Sequence, residues 1–225
     1  MDADLDEATA LALYLSPDPI RIGSWQRWSS LEAALRDARR VTGRDEADGT
    51  FVNPAHALTW LGAVGYLAAL DQLGNAVTVT DPDDEMAARL ALHDKGPGKS
   101  FRRTLARFTD LPFGDICALY GLRCALVHSF GLANAHDDPN FRRVYELYPT
   151  GPLVVHPKTP WDGTYSVMGA EGCSTVVNVV ALGGTVEAAV FAVRRLHRAG
   201  RIGLVVSAEE LVVRFMFRFG TRPSA

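Results

Sequence analysis

The chain is short of lysine, of cysteine and of net charge, and each shortage removes a class of function. Only three of its 225 residues are Lys, against 20 Arg, and the formal net charge is −3. A chain that coats nucleic acid by bulk positive charge is therefore excluded. The three Cys, at positions 117, 124 and 173, are odd in number, widely spaced and without a CxxC pair. That argues against a disulfide framework or a zinc site, and a reducing cytoplasm is the expected compartment. His56, His93, His136, His156 and His197 show no HxH or HExxH spacing, so neither a metal nor a cofactor is expected. The opening Met1-Asp2-Ala3-Asp4-Leu5-Asp6-Glu7 lacks the basic segment of a signal peptide. The one long uncharged stretch, Thr50 to Leu70, is interrupted by Asn53, Pro54, His56, Gly62 and Gly65. Its solidly apolar part falls short of the ~20 residues a bilayer span needs, so a buried helix is expected there and no membrane partner. What remains is ordinary globular material, 48% hydrophobic and 22% charged.

Up to about residue 133 the apolar spacing is helical. Leu5 to Leu15 reads as a helix stopped by Ser16-Pro17, and Trp25 to Val41 as a second, with Trp28, Leu31 and Leu35 on one face. Asn53-Pro54 reads as the cap of a third helix running to Gly74. Asp81 to Asp84 opens a fourth, which Gly96-Pro97-Gly98 breaks. A short basic helix follows, then one from Pro112 to Phe130. From Val144 the texture changes. Val144–Tyr148, Leu153–Val155 and Thr164–Met168 look like short strands between turn signals, and Thr175 to Leu182 suits either a strand or the start of a buried helix. A helix through Arg198 and a last one from Ser207 to about Phe219 close the chain. The expected fold is mainly α: a helical bundle over residues 1–133, then a β-hairpin or meander and two helices over 134–225, packed together as one domain.

The helix from Pro112 to Phe130 carries the main chemical signal. Ile116, Leu119, Tyr120, Leu126, Val127 and Phe130 fall on one apolar arc, and Arg123 falls near its middle. A guanidinium keeps its proton, so an Arg facing a core must find acceptors, a wet cleft or an interface. His128 lies about 140° round the helix and ~7.5 Å further along it, within reach of a long Arg side chain.

The run Leu122-Arg123-Cys124-Ala125-Leu126-Val127-His128-Ser129-Phe130-Gly131 resembles the signature helix of the HEPN superfamily, in which Arg precedes His by a few residues late in a helical bundle. Cys124 stands where many members carry Asn or another polar residue. The resemblance implies a metal-independent ribonuclease acting on RNA, with Arg123 and His128 as its site residues. It also implies a homodimer in which two such helices meet, a role as a toxin or in defence, and a protein partner or antitoxin. The chemistry is sound in itself. A neutral imidazole can take the proton of the RNA 2′-hydroxyl, and a guanidinium fork can hold the phosphate oxygens, giving 2′,3′-cyclic phosphate ends.

Other readings stand beside this one. Arg123 could serve structure by pairing with Glu32, Asp37 or Asp71, leaving a non-catalytic module that binds RNA, nucleotide or protein. Lys99, Arg102 and Arg103, with Arg107, could steer a phosphate backbone or form a solvated face. Arg194, Arg195, Arg198 and Arg201 pose the same choice near a helix end. Lys95-Gly96-Pro97-Gly98-Lys99-Ser100 resembles the end of a phosphate-binding loop, but His93 occupies the position of its first Gly, so a plain loop is expected. In an unrelated scaffold, Trp161 and Tyr165 would be a docking patch.

Overall fold

The computed structural model describes residues 5–22, 25–50, 52, 59–167 and 172–219. Among these lie, in chain order, α1 (Glu7–Leu15), β1 (Ile20–Ile22), β2 (Trp25–Ser29), α2 (Ser30–Val41), α3 (Thr59–Ala76), β3 (Val77–Val79), α4 (Asp84–Ala91), α5 (Lys99–Phe108) and α6 (Phe113–His128). They continue with β4 (Ala133–Asn134), β5 (Arg143–Tyr148), β6 (Val154–Val155), β7 (Thr175–Asn178), α7 (Val179–Arg198), β8 (Ile202–Leu204), α8 (Ala208–Phe215) and β9 (Met216–Phe219). The protein is mainly α, and no helix among the described residues is long and apolar enough to cross a membrane.

Short polar side chains start the helices. Asp6 accepts from the Thr9 amide, Asp83 from that of Met86, and Ser207 from that of Glu210. Asn178 caps α7 by accepting from both Val180 and Ala181. The expected cap at Asn53-Pro54 lies outside the described residues.

Four expectations need correction. Trp25–Ser29 is a strand, not the first turn of a helix. It pairs with β1 on one side and β9 on the other, and the Ser29 hydroxyl accepts from the Leu31 amide, so α2 starts only at Ser30. The last helix stops at Phe215, where the chain becomes extended. Met216 is buried and Phe217 exposed, the two-residue alternation of a strand overriding the helical spacing before it. Of the expected strand Thr164–Met168, the described part forms none; Tyr165–Val167 is a single tight helical turn, and Met168 lies outside the described residues. The β-rich part is not a hairpin or meander but a mixed four-stranded sheet, ordered β4-β5-β7-β6, whose central pair is parallel with Tyr145 opposite Thr175. Thr175–Leu182, left open between strand and helix, is both: β7 leads straight into α7 at Val179.

One hydrophobic core runs from Ala10 to Met216 and draws on every helix. The 1–133 and 134–225 segments are thus not separate bodies, since α7 packs on α3 and α5. β3 and β8, 127 residues apart at their Val77–Leu204 pair, are also zipped together. A buried ion cluster adds a second bond between the segments. Arg39, 2% exposed, forks onto the Glu187 carboxylate with two 2.7 Å bonds and donates to Glu32 at 3.0 Å. Glu32, equally buried, also accepts from Arg194 at 2.8 Å. Gly49 is required beside this cluster, because a Cβ there would lie 2.8 Å from the Glu187 carboxyl carbon and the backbone has φ +77°.

α6 lies in the centre. Ile116 to Leu126 are all buried except Arg123. Most of the apolar arc expected to face a second copy is covered within the chain by α3, α5 and the β4–β5 pair, whereas its Phe130 is exposed.

Candidate functional site

Each end of α6 holds an Arg, a His and an Asp in mutual contact. At the C-terminal end, Arg123 is half-buried and stands between two partners. Its Nε and Nη2 donate to Oδ2 of Asp71 on α3 at 3.1 and 2.5 Å. Its Nη1 lies 2.5 Å from Nε2 of His128. An arginine only donates, so Nε2 is the acceptor and the imidazole carries its proton on Nδ1. Burial works against the guanidinium charge, but the hydrogen bond and charge of Asp71 outweigh it, and Arg123 is held above its ordinary value. His128 is exposed at the last turn of the helix.

The site's floor is buried and resists ionisation. Tyr120 and Cys124 are buried beside Arg123, and burial followed by contact with Cys124 pushes the Tyr120 hydroxyl well above its usual range. Cys124 lies against both Tyr120 and Arg123. The Ala125 carbonyl accepts from the amides of both Ser129 and Gly131, which fixes the backbone just past His128. Between those two residues, Phe130 has φ +46° and is 80% exposed.

The basic residues expected to bind substrate are placed differently. Arg102 is 2% exposed. It donates to the Pro97 and Lys95 carbonyls and lies over the rings of Tyr120 and Phe141, so it fastens the loop before α5 and is withdrawn from solvent. Arg103 and Lys99 both face Asp94, at 3.1 and 3.6 Å, which offsets their charge. Arg107 is buried, and that burial, with Arg103 nearby, lowers it to about 10. In the other arginine cluster, Arg194 bonds the Leu15 carbonyl and Glu32, and Arg201 bonds the Asp81 carbonyl. The loop at Gly96-Pro97-Gly98 is packed shut, since a Cβ on Gly98 would fall 1.9 Å from the Tyr120 ring. Trp161 is buried against Val144 and Cys173 with its indole N–H on the Thr164 carbonyl, so only Tyr165 of the expected docking patch is exposed.

The N-terminal end of α6 was not foreseen. Asp115 Oδ1 lies 2.8 Å from His156 Nε2, and Arg143 Nη1 lies 3.4 Å from His156 Nδ1. Arg143 also donates to the Asn140 carbonyl and approaches Thr175. Here the imidazole is the middle member, held on both nitrogens between helix and sheet. Close by, His93 is 2% exposed and stacks on Phe113 at 5.1 Å, lining a cleft of about 500 Å³ with Arg89, Leu111 and Ile116. Burial first, then Arg102 and Arg89, depresses His93 to about 4.

Among the described residues, no group of three or more His, Cys, Asp or Glu could hold a metal ion. Asp71 is the site residue that sequence reasoning singled out least: it is the one charged residue in the eighteen of α3, and so the natural partner for the lone Arg of α6. No family model matches the chain, and neither a curated protein nor a solved structure is found to resemble it.

Proposed function

We propose that the protein is a HEPN-like, metal-independent endoribonuclease whose reacting groups are Arg123 and His128. The observation that carries this reading is the 2.5 Å contact between Arg123 Nη1 and His128 Nε2 on an exposed helix end, with Asp71 anchoring the other edge of the guanidinium. A phosphodiester entering there offers oxygens that compete with Nε2 for Nη1. Once displaced, Nε2 has a free lone pair beside the bound phosphate. It takes the proton of the adjacent 2′-hydroxyl, and the 2′-oxygen attacks phosphorus. The bond to the 5′-oxygen breaks, and that oxygen leaves with a proton from solvent water, while His128 returns the proton it took to solvent. Arg123 holds the non-bridging oxygens as their negative charge grows. Asp71 keeps the fork aimed and leaves Nη1 available. A 2′,3′-cyclic phosphate and a 5′-hydroxyl result.

The same contact favours a second reading, a non-catalytic RNA-binding module of the same kind, because Nε2 is occupied at rest. The two separate in one assay. Purified protein is incubated with RNA in EDTA, and the ends of the fragments are analysed. The nuclease reading expects cyclic-phosphate ends that vanish in His128→Ala with the fold intact; cleavage persisting in that variant overturns it. Pairing of two copies, and a toxin role with an antitoxin partner, belong to the proposal as its biological setting. Neither is needed for the chemistry, and most of the α6 arc that suggested a dimer packs within the chain, with Phe130 its exposed end.

A further inference from the structure

Phe130 has two costs that nothing in the fold repays. It is the only non-glycine among the described residues with positive φ, at +46°. That left-handed backbone is crowded for a bulky side chain, and the position just past a helix C-cap ordinarily takes Gly or Asn. Its ring is also 80% exposed, and among the described residues it has no ring partner and no place in the core. The Ala125 carbonyl holds the residues on both sides, so the chain is fastened in the shape that turns this ring outward. Strain of this kind persists only where the surroundings enforce it, and it gathers at working sites.

The neighbourhood indicates what the ring is for. Phe130 is two residues from His128, so their Cα atoms are at most about 7 Å apart. Electrostatic help for an anionic strand is thin here. Arg123 is paired with Asp71, Arg102 is buried, and Lys99 and Arg103 face Asp94. Binding therefore needs a contribution independent of charge. An aromatic face provides one, because every nucleobase has a π-face to lay on it.

We infer that Phe130 is the stacking platform for the base of the nucleotide whose phosphate meets Arg123, so the site takes unpaired RNA and grips it more by stacking than by charge. This deepens the ribonuclease reading and rests on it for the substrate class. Two features follow. Purine-rich single strands bind more tightly than uridine-rich ones. The dependence of affinity on salt is shallow, with a logarithmic slope of about 1, as expected for one or two neutralised phosphates.

The test uses fluorescein-labelled 2′-O-methyl oligonucleotides, a 12-mer of A and a 12-mer of U, which bind but offer no free 2′-hydroxyl. Fluorescence anisotropy reads the affinity. Phe130→Leu keeps the apolar bulk and removes the ring; it is expected to weaken the A 12-mer about tenfold, whereas Phe130→Tyr stays near the original value. Phe130→Gly is expected to weaken binding equally while raising the melting temperature, because Gly accepts the left-handed backbone freely. A stability gain coupled to a binding loss cannot arise from a damaged fold. Unchanged affinity in Phe130→Leu, or no binding by the original protein, overturns the inference. So does a loss of self-association in sedimentation with probe affinity unchanged, which would assign the ring to a contact between copies. The nuclease reading fails separately: ring-dependent binding with no cleavage of natural RNA sinks that reading alone, and cleavage with ring-independent binding sinks only the stacking.

Discussion

The two ends of α6 use the same three residue types in different order. At the C-terminal end the sequence of contacts is Asp71–Arg123–His128, with the guanidinium in the middle. At the N-terminal end it is Asp115–His156–Arg143, with the imidazole in the middle. Order decides what each can do. A central guanidinium can shed one partner and keep the other, so His128 is a terminal group that an incoming phosphate can release. A central imidazole has both nitrogens engaged. Its job is to clasp α6 to the β5–β7 sheet, and freeing it for chemistry would mean breaking the clasp. Residue type alone therefore does not mark a reactive histidine.

The comparison can be broken most directly through activity. His128→Ala is expected to reduce RNA cleavage about a hundredfold or more. His156→Ala should leave the rate within about twofold, measured on the same RNA in EDTA. Equal losses would show the two ends to be equivalent and end the distinction.

Stability sharpens it next. Asp71→Ala leaves a half-buried guanidinium without its carboxylate and should cost about 2 kcal/mol in denaturant unfolding. Asp115→Ala faces a more exposed histidine and should cost under about 1 kcal/mol.

The N-terminal end also has its own titration. His93 is depressed to about 4 in the fold, against ~6.5 when unfolded. Between those values the unfolded chain binds the extra proton. The stability due to neutral His93 is thus complete above about pH 6.5 and is lost as pH falls towards 4. The loss at pH 5 should be about 1–2 kcal/mol, and His93→Gln should flatten that part of the pH–stability curve.

The most local contrast concerns two glycines of α6. A Cβ on Gly114 would make only ordinary contact, 3.5 Å from His156, so Gly114→Ala should stabilise by about 0.5 kcal/mol. On Gly121 it would fall 2.3 Å from the Tyr145 hydroxyl, which donates to the Ala118 carbonyl, so Gly121→Ala should cost about 2 kcal/mol. Thermal unfolding of the two variants reads both signs.

How much of this was legible from the residues depends on distance along the chain. Local signals served well: Asp83 and Ser207 start helices as their side chains demand, and Arg123 stands out because it interrupts an apolar run. Asp71 was within reach too, as one of three candidate partners, and its isolation in α3 was the clue that could have ranked it first. Long-range pairing was not legible. Trp25–Ser29 continues the spacing of α2, yet pairing with β9, far along the chain, makes it a strand. Asp115 and His156 carry no spacing signal, since a parallel strand pair and a loop bring them together. The basic run in α5 looked like a ligand track because charge shows in a sequence, whereas burial of Arg102 and the countercharge of Asp94 do not.

The buried knot of Glu32, Arg39, Glu187 and Arg194 also governs how the molecule must be made. Arg39 and Glu187 are 148 positions apart, so when the first half of the chain leaves the ribosome its guanidinium still lacks the fork that will receive it. Cutting the chain near residue 133 would take away Glu187 and Arg194 together, leaving Arg39 with Glu32 as its one carboxylate partner in the cluster.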